Sequence, residues 1–172
     1  LKDFARAYNF NSISLRFFNV AGADFDNKIG PKKSSSHIIS RLLEKSFLGE
    51  SFILNGDKYD TKDGTCIRDY VHVEDVANGL FMAAKYTSLN KGATVFNLGE
   101  GSGYSNAEII KSIEKNTPLK PEIKVGPPVK GDMKILVSDT YLVNNSLGWQ
   151  TKYKLDDIIK TSYNWYKKIY QN

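Results

Sequence analysis

Cysteine and histidine are scarce in this sequence, and no long apolar run occurs. The single cysteine among 172 residues, Cys66, excludes an internal disulfide and is typical of a reducing compartment. The only two histidines, His37 and His72, lack a further ligand cluster, so we expect structural or backbone-contact roles and no metal site. The apolar runs are far shorter than a membrane span, and no secretory signal is visible. These absences favour a cytoplasmic protein without a membrane segment.

Positive charge is not concentrated either, although the formal net charge is +5. Lysines are scattered, with pairs at Lys32-Lys33 and Lys167-Lys168 but no basic block. A nucleic-acid site needs a concentrated basic face with stacking aromatics, so we expect no nucleic-acid partner. Hydrophobic residues make up 41% and charged residues 25% of the chain, which are ordinary values for one globular domain.

The most informative segment runs from residue 56 to residue 77. Asp63-Gly64 predicts a tight turn, because glycine readily adopts the positive φ that such turns demand. A strand-like alternation follows, which places Arg68, Tyr70 and His72 on one face if the run is extended. A guanidinium on a rigid strand beside a helix start is suited to bidentate phosphate binding.

Elsewhere the chain alternates strand and helix patterns, which predicts an α/β fold. Strands are expected near residues 13–18, 52–54, 94–98 and 135–137, with another inside the proline-bearing stretch 118–128. Helices are expected near residues 36–48 and 74–86 and at the C-terminus, and Gly49 is a natural end for the first. Ser105 to Glu108 has the pattern of a capping box. The expected inner face of the second helix is Val76, Ala77, Leu80, Phe81 and Ala84.

The segment 56–77 closely resembles the C-terminal part of UDP-glucose 4-epimerases, which are extended short-chain dehydrogenase/reductase enzymes. Related dehydratases and decarboxylases keep an RD-x-x-(Y/H)-V-x-D core but lack the DGT turn before it. Five further stretches fit the family in order: SLRFFNVAGAD, SSSHII, FNLGEGSGYS, KGDMKILVSD and NNSLGW. The resemblance implies a C-terminal substrate-binding portion with the last elements of the Rossmann sheet. It also implies a UDP-sugar substrate, NAD as cofactor and a homodimeric parent.

Two family motifs are expected to lie N-terminal to this sequence: the NAD-binding Gly-x-x-Gly-x-x-Gly turn and the catalytic Tyr-x-x-x-Lys. The one Tyr-x-x-x-Lys spacing here, Tyr163 to Lys167, falls in an amphipathic helix among aromatics, and we interpret it as structural. The chain opens on Leu1 without an initiator Met. We therefore expect residues 1–172 to be a fragment without the Rossmann domain. Such a fragment binds substrate, has no catalytic residue of its own and leaves NAD mainly to the absent domain.

Asn19 is the first candidate ligand-binding residue. It follows the strand pattern 13–18, at the carboxyl end where open α/β sheets bind ligands. The resemblance implies that its amide contacts the diphosphate-sugar and that Phe18 and Val20 lie near the nicotinamide. The alternative for Asn19 is a cap of the following turn.

A nucleotide clamp is the second expectation. The resemblance implies that backbone near His37 and Ile38, and near Ile53, Leu54 and Asn55, holds the diphosphate and uracil, while Arg68 pairs with phosphate. Backbone amide and carbonyl groups can mimic a base-pairing partner. Relatives usually carry a large apolar residue at Asn55, so packing there is expected to differ. The alternative for Arg68 is a salt bridge to a nearby carboxylate.

Asp132 and Leu136 complete the candidate substrate site. The resemblance implies that Asp132 accepts the ribose hydroxyls and that an arginine occupies the position of Val129. Lys130 follows at once but cannot reproduce a bidentate fork. Leu136 falls where the family places a residue over the hexose C2 substituent, and leucine there should also admit N-acetylhexosamines. The alternative for Leu136 is an inward strand residue.

The glycine-rich run from Gly99 to Gly103 has G-x-G-x-G rather than dinucleotide spacing, so we expect a strand-to-helix loop. Two classes of function remain at this point. The first is the substrate-binding part of an enzyme that interconverts UDP-hexoses at C4 through a 4-keto intermediate. The second is a non-catalytic nucleotide-sugar-binding module. Another nucleotide-sugar-modifying short-chain dehydrogenase, a dehydratase or decarboxylase, is a further alternative to the first.

Overall fold

The fold is built on short, mostly parallel strand pairs. A computed structural model describes residues 1–171. Strands β1 (Ser12–Phe17) and β6 (Ala93–Leu98) pair in parallel, with Ser12 opposite Ala93 and Phe17 opposite Leu98. Parallel pairing requires a long crossover, and the intervening chain forms two helices that pack on the strands. The predicted α/β class is confirmed.

Three smaller sheets carry the remaining strands. Strands β2 (Asn19–Ala21) and β5 (Tyr70–His72) are parallel, as are β3 (Phe52–Asn55) and β8 (Ile123–Gly126). Strand β4 (Ile67–Arg68) lies between β7 (Tyr104–Ser105), which is antiparallel to it, and β9 (Ile135–Leu136), which is parallel. The arrangement brings the starts of several loops to one region beside β3 and β4.

Six helices are formed by residues 1–171: α1 (Lys2–Tyr8), α2 (Ile38–Leu48), α3 (Val73–Leu89), α4 (Asn106–Asn116), α5 (Tyr141–Leu147) and α6 (Leu155–Gln171). Gly49 ends α2 at φ +68°, as predicted, because the left-handed conformation suits glycine. The capping box at Ser105 and Glu108 is also confirmed. None of these helices combines the length and apolar character that a membrane span requires.

Two hydrophobic clusters hold these elements together. In the first, helices α2, α4 and α6 bury Leu42, Leu43, Ile109, Ile113, Ile158, Ile159 and Tyr166 around β3. In the second, α3 and α5 cover the β1–β6 pair through Val71, Val76, Phe96, Leu98, Val143 and Trp149. Burial of this kind stabilises a fold by roughly 25 cal/mol per Å² of apolar surface. The first cluster therefore fixes α2 and β3, which border the site described below.

The predicted inner face of α3 was wrong except at Val76. Ala77, Leu80, Phe81 and Ala84 are exposed, and the buried residues are Asp75, Val76, Gly79 and Ala83. Asp75 can be buried because its carboxylate accepts hydrogen bonds from the backbone N–H of Lys152 and Tyr153 at 3.0 and 3.1 Å. A Cβ on Gly79 would approach Leu98 to 2.9 Å, so only glycine lets α3 pack this closely.

The continuous strand expected after Gly64 was also wrong. Asp69 interrupts it, and the two halves, β4 and β5, join different sheets. Arg68 and Tyr70 still line one cavity, whereas the buried His72 ring packs against Phe25 and Tyr153 elsewhere. The break occurs because the Asp69 side chain is held by loop backbone instead of continuing the alternation.

Candidate functional site

A polar cavity of about 280 Å³ lies between α2, β3 and β4. Eight of the nine predicted substrate-binding residues line it: Asn19, His37, Ile38, Ile53, Leu54, Asn55, Arg68 and Asp132. Leu136 is the ninth and does not line it. The structure therefore brings together residues that are separated by more than a hundred positions in the sequence.

Arg68 and Asp132 form an ion pair across the wall of this polar cavity. The pair is partly shielded, since the Arg68 side chain is 17% exposed and that of Asp132 is 34% exposed. Arg68 also donates from Nη1 to its neighbour's carbonyl, Ile67 O, at 2.9 Å. The salt-bridge alternative for Arg68 thus describes this structure. Its partner is the very carboxylate that was predicted to bind ribose.

Cys66 lies beneath this ion pair. Its Sγ donates to Asp132 Oδ2 at 3.7 Å, and the side chain is buried. Burial raises the pKa of the Cys66 thiol, and the negative charge of Asp132 raises it further. The thiol therefore stays protonated near neutral pH and serves as a weak donor, which gives it little nucleophilic character.

Asn19 is fixed by two hydrogen bonds to one carbonyl. Its backbone N–H and its side-chain Nδ2 donate to Asp69 O at 3.0 and 2.7 Å. Asn19 also lines the polar cavity. The residue is thus a pre-positioned polar group rather than a simple cap of the following turn.

Asp69 holds this region together, and sequence reasoning missed it. Its buried carboxylate accepts hydrogen bonds from the N–H groups of Glu100, Gly101 and Ser138 at 2.7, 3.0 and 3.0 Å and from the Ser138 hydroxyl. A full set of donors makes a buried carboxylate acceptable. The one indication of this role in the sequence is that Asp69 is an acidic residue inside an otherwise strand-like run.

The glycine-rich run 99–103 is a loop between β6 and β7, as predicted. A Cβ on Gly99 would lie 2.4 Å from Asp69 Oδ2 and 2.3 Å from Ser138 Oγ, which no real side chain tolerates. This glycine therefore serves the close approach of the loop to Asp69. Phosphate binding is not needed to explain it.

The first turn of α2 presents backbone donors to the polar cavity. His37 is the N-cap residue and makes no side-chain capping bond, so the first N–H groups of the helix lack a capping partner. His37 and Ile38 both line the cavity. Free amides and the positive end of the helix dipole favour an anion at this place.

Strand β3 presents the opposite chemistry, an alternating donor and acceptor edge. The N–H groups of Phe52 and Gly56 donate to β8, at Glu122 O (2.8 Å) and Gly126 O (3.1 Å). Because backbone groups alternate along a strand, those of Ile53 and Asn55 point away from β8. Both residues line the polar cavity, so this edge can pair with a planar group that offers its own donor and acceptor.

Val129 and Leu136 complete the surroundings. Val129 is exposed, and its carbonyl accepts from Asp132 N at 3.1 Å, which closes the turn before β9. Leu136 is opposite Arg68 in the β4–β9 pair and is 38% exposed, so it is not an inward strand residue. Its predicted place over the sugar stays a prediction.

A second, apolar cavity of about 490 Å³ adjoins the first. Its lining includes Val20, Ala21, Ile29, Val73 and Ala77, and Tyr70 borders both cavities. Burial raises the pKa of Tyr70 far above its ordinary value, so this phenol is not a base at neutral pH. Phe18 lines neither cavity and is tied to β6 by a hydrogen bond from its N–H to Leu98 O at 3.0 Å.

His72 and Tyr163 line neither cavity. His72 accepts from Glu74 N through Nδ1 at 3.1 Å, and its Nε2 lies 3.0 Å from Thr161 Oγ1. Burial lowers the pKa of His72, so the ring is neutral and donates through Nε2. Tyr163 stacks on Phe47 at 5.7 Å, away from both cavities. Residues 1–171 hold no group of three metal-ligating side chains.

Comparison with known proteins identifies the family behind this geometry. The profile described as "NAD dependent epimerase/dehydratase family" matches residues 1–99. The chain belongs to this family. A UDP-glucose 4-epimerase of Lactobacillus helveticus is 41% identical over 157 residues, which are 90% of this chain and 48% of that protein. The chain thus spans about half the length of the curated relatives it matches.

Solved structures of the epimerase/dehydratase family agree with the fold. The UDP-glucose-4-epimerase of Stenotrophomonas maltophila, with bound NAD and formylated UDP-arabinopyranose, gives a TM-score of 0.91 at 29% identity, covering 97% of this chain and 51% of that one. The UDP-Glc/GlcNAc 4-epimerase of Campylobacter jejuni gives 0.79 at 35% identity, covering 96% and 51%. The resemblance inferred from the sequence is confirmed.

Proposed function

We propose that the protein carrying this chain is a UDP-glucose 4-epimerase and that this chain holds the UDP-sugar. The single observation that carries the proposal is the convergence of eight predicted residues on one polar cavity. That cavity combines an anion site with a hydrogen-bonding strand edge. A nucleoside diphosphate needs both. Several relatives bear the name UDP-glucose 4-epimerase, which supports the same reading.

The proposed roles are those that the family resemblance implies, and the geometry of the polar cavity supports them. The edge formed by Ile53, Leu54 and Asn55 pairs with uracil, and the N-terminal turn of α2 at His37 and Ile38 faces the diphosphate. Arg68 turns from Asp132 to phosphate, which frees the Asp132 carboxylate to accept ribose hydroxyls. Asn19 contacts the diphosphate-sugar through the part of its amide that Asp69 does not hold.

NAD is the cofactor implied by the family, and it fits the apolar side of the site. Val20 contributes to the apolar cavity, whose walls suit the flat face of a nicotinamide ring. Phe18 directly follows β1 in the sequence. It precedes Asn19, which lines the polar cavity, and Val20, which lines the apolar one. When bound, NAD supplies the hydride acceptor and donor for chemistry at the hexose C4. The residues of this chain bind and orient the sugar. The 4-keto intermediate must be able to rotate within the same site.

Leu136 sets the proposed sugar range. It lies opposite Arg68 in the β4–β9 pair, next to the proposed phosphate position. Leucine lacks the ring and hydroxyl of a tyrosine, which leaves room for an acetamido group at C2. Widening a site broadens specificity more than it switches it. A relative named a UDP-Glc/GlcNAc 4-epimerase is 35% identical, which supports activity on both sugar classes.

The test is interconversion of UDP-galactose and UDP-glucose by the full-length protein that carries this sequence. We expect turnover by that protein, and neither turnover nor measurable NAD affinity for residues 1–172 expressed alone. A 4-keto-6-deoxy or decarboxylated product would assign a dehydratase or decarboxylase instead. UDP-sugar binding without any turnover would assign a non-catalytic module. We also propose that the protein is cytoplasmic and that it forms a homodimer. Sedimentation analysis of the purified protein checks the homodimer.

A further inference from the structure

One charged side chain in the polar cavity forms no ion pair within residues 1–171. The charged groups lining this cavity are Arg41, Arg68 and Asp132. Arg68 and Asp132 neutralise each other. Within residues 1–171, the Arg41 guanidinium forms neither an ion pair nor a hydrogen bond. Arg41 is therefore the uncompensated positive charge of the cavity.

The position of Arg41 is fixed although its donors are free. It lies in the first turns of α2, where its N–H donates to His37 O at 2.9 Å. Its guanidinium carbon lies 5.0 Å from the ring centre of Phe52, a buried side chain at the start of β3. A guanidinium stacked on an aromatic face loses less conformational freedom when it binds a ligand than a free one does. Arg41 thus lines the polar cavity with one face of its guanidinium supported by Phe52, and it also lines a surface cavity with Glu44 and Glu50.

The charge balance of the site calls for such a residue. Val129 stands where relatives are expected to have an arginine, and Lys130 is exposed in the turn before β9 without an ion pair among residues 1–171. A nucleoside diphosphate carries more negative charge than Arg68 alone can balance, and Arg68 is shared with Asp132. The backbone donors of α2 lie one helical turn from Arg41, on the same cavity wall.

We propose that Arg41 is a phosphate-binding residue of this site and that it takes over from the arginine missing at position 129. The inference rests on the proposed function, because it concerns the diphosphate of the same ligand. Arg41 contacts the phosphate oxygens through its free N–H groups while its face stays on Phe52. The competing role of the Arg41 guanidinium is stacking on the nucleotide base. Comparing UDP binding with uridine binding distinguishes the phosphate contact from base stacking.

The test compares UDP and uridine binding, by calorimetry, to the full-length protein and to its Arg41→Gln variant. We expect Arg41→Gln to weaken UDP binding about tenfold, as loss of a charge-assisted hydrogen bond does. Uridine binding should change less than about twofold. Raising the salt concentration should narrow the difference for UDP, because the lost interaction is ionic. Arg41→Lys should recover part of the loss. Arg6→Gln, on exposed helix α1, is the matched control and should leave both affinities unchanged.

Other results overturn the inference. Equal loss for UDP and uridine would mean that Arg41 contacts the base or only supports packing, and a shifted thermal midpoint in Arg41→Gln would identify the packing case. Unchanged UDP affinity in Arg41→Gln would remove Arg41 from the phosphate site while leaving the proposed function intact. Absence of UDP binding to the unmutated protein would overturn the proposed function itself, and the inference with it.

Discussion

The two adjoining cavities differ in chemistry although Tyr70 borders both. The polar cavity has a hydrogen-bonding strand edge, a helix N-terminus and three charged side chains. The apolar cavity is walled mainly by aliphatic residues such as Val20, Ile29 and Val73. A charged nucleotide and a flat cofactor ring need these two environments separately. The comparison shows that two cavities of different polarity meet at Tyr70 in β5.

The largest effect is expected from a change at Asp69. Its carboxylate joins the loops that follow β6 and β9 to the segment between β4 and β5. Asp69→Ala leaves three N–H groups and a hydroxyl without their acceptor in a buried place. We expect the free energy of unfolding to fall by about 3–5 kcal/mol, the range for breaking a buried charged network. Chemical denaturation followed by circular dichroism measures this. Asp57→Ala, an exposed site, is the control, and a similar small loss in both variants would contradict the role of Asp69.

A change at Leu136 tests its proposed contact with the sugar. We expect Leu136→Tyr to lower kcat/KM for UDP-N-acetylglucosamine by about 100-fold, because a larger side chain excludes the acetamido group. The value for UDP-glucose should stay within about twofold. Coupled assays with each sugar give both numbers. If the unmutated full-length protein cannot turn over UDP-N-acetylglucosamine, the assignment of Leu136 is wrong.

A change at Arg68 alters only the polar cavity. We expect Arg68→Ala to raise the KM for UDP-galactose at least about tenfold, the loss of one charge-assisted bond. The kcat value should change less, since Arg68 does not line the apolar cavity. Lys134→Ala removes a surface ion pair with Asp60 and is the control. An unchanged KM with normal folding would exclude Arg68 from phosphate binding.

The smallest expected effect concerns His72 and pH. Burial lowers the folded-state pKa of His72 below its ordinary value of about 6.5, and Asp75 and Asp157 oppose this only in part. The unfolded state therefore binds the proton more readily, and stability is lost as the pH falls from about 7 towards the folded-state pKa. The slope of unfolding free energy against pH between about 7 and 5 should be smaller in His72→Asn, whose amide oxygen can still accept from Glu74 N. Equal slopes would contradict this account.

The sequence predicted the elements whose signals are local. Gly49, the Ser105 capping box and the strand at 52–54 were readable because turn chemistry and apolar periodicity act over a few residues. The inner face of α3 was not readable, since Asp75 and Gly79 are buried for reasons that lie in distant loops. Helix α5 was missed although Thr140 and Gly148 flank it, because its seven residues, YLVNNSL, are too few to show a helical period.

The candidate site divides in the same way. Arg68, Asp132 and Asn19 were found through the family resemblance, and the structure brings them to one cavity. A salt bridge of Arg68 was foreseen only as an alternative, and its partner could not be named because Asp132 lies 64 positions away in the sequence. Asp69 and Arg41 were missed for a related reason. Their importance depends on partners, or on a lack of partners, that only the folded chain defines.

The central claim is that the polar cavity binds the nucleotide, and hydrogen–deuterium exchange with UDP tests it most directly. On the full-length protein, we expect saturable protection of backbone amides in Ile38–Arg41 and Phe52–Asn55, the two walls of that cavity. Amides near Ile29 and Gly30, in the apolar cavity, should change little with UDP alone. Protection confined to the apolar cavity, or none at 52–55 under saturating UDP, would contradict the account.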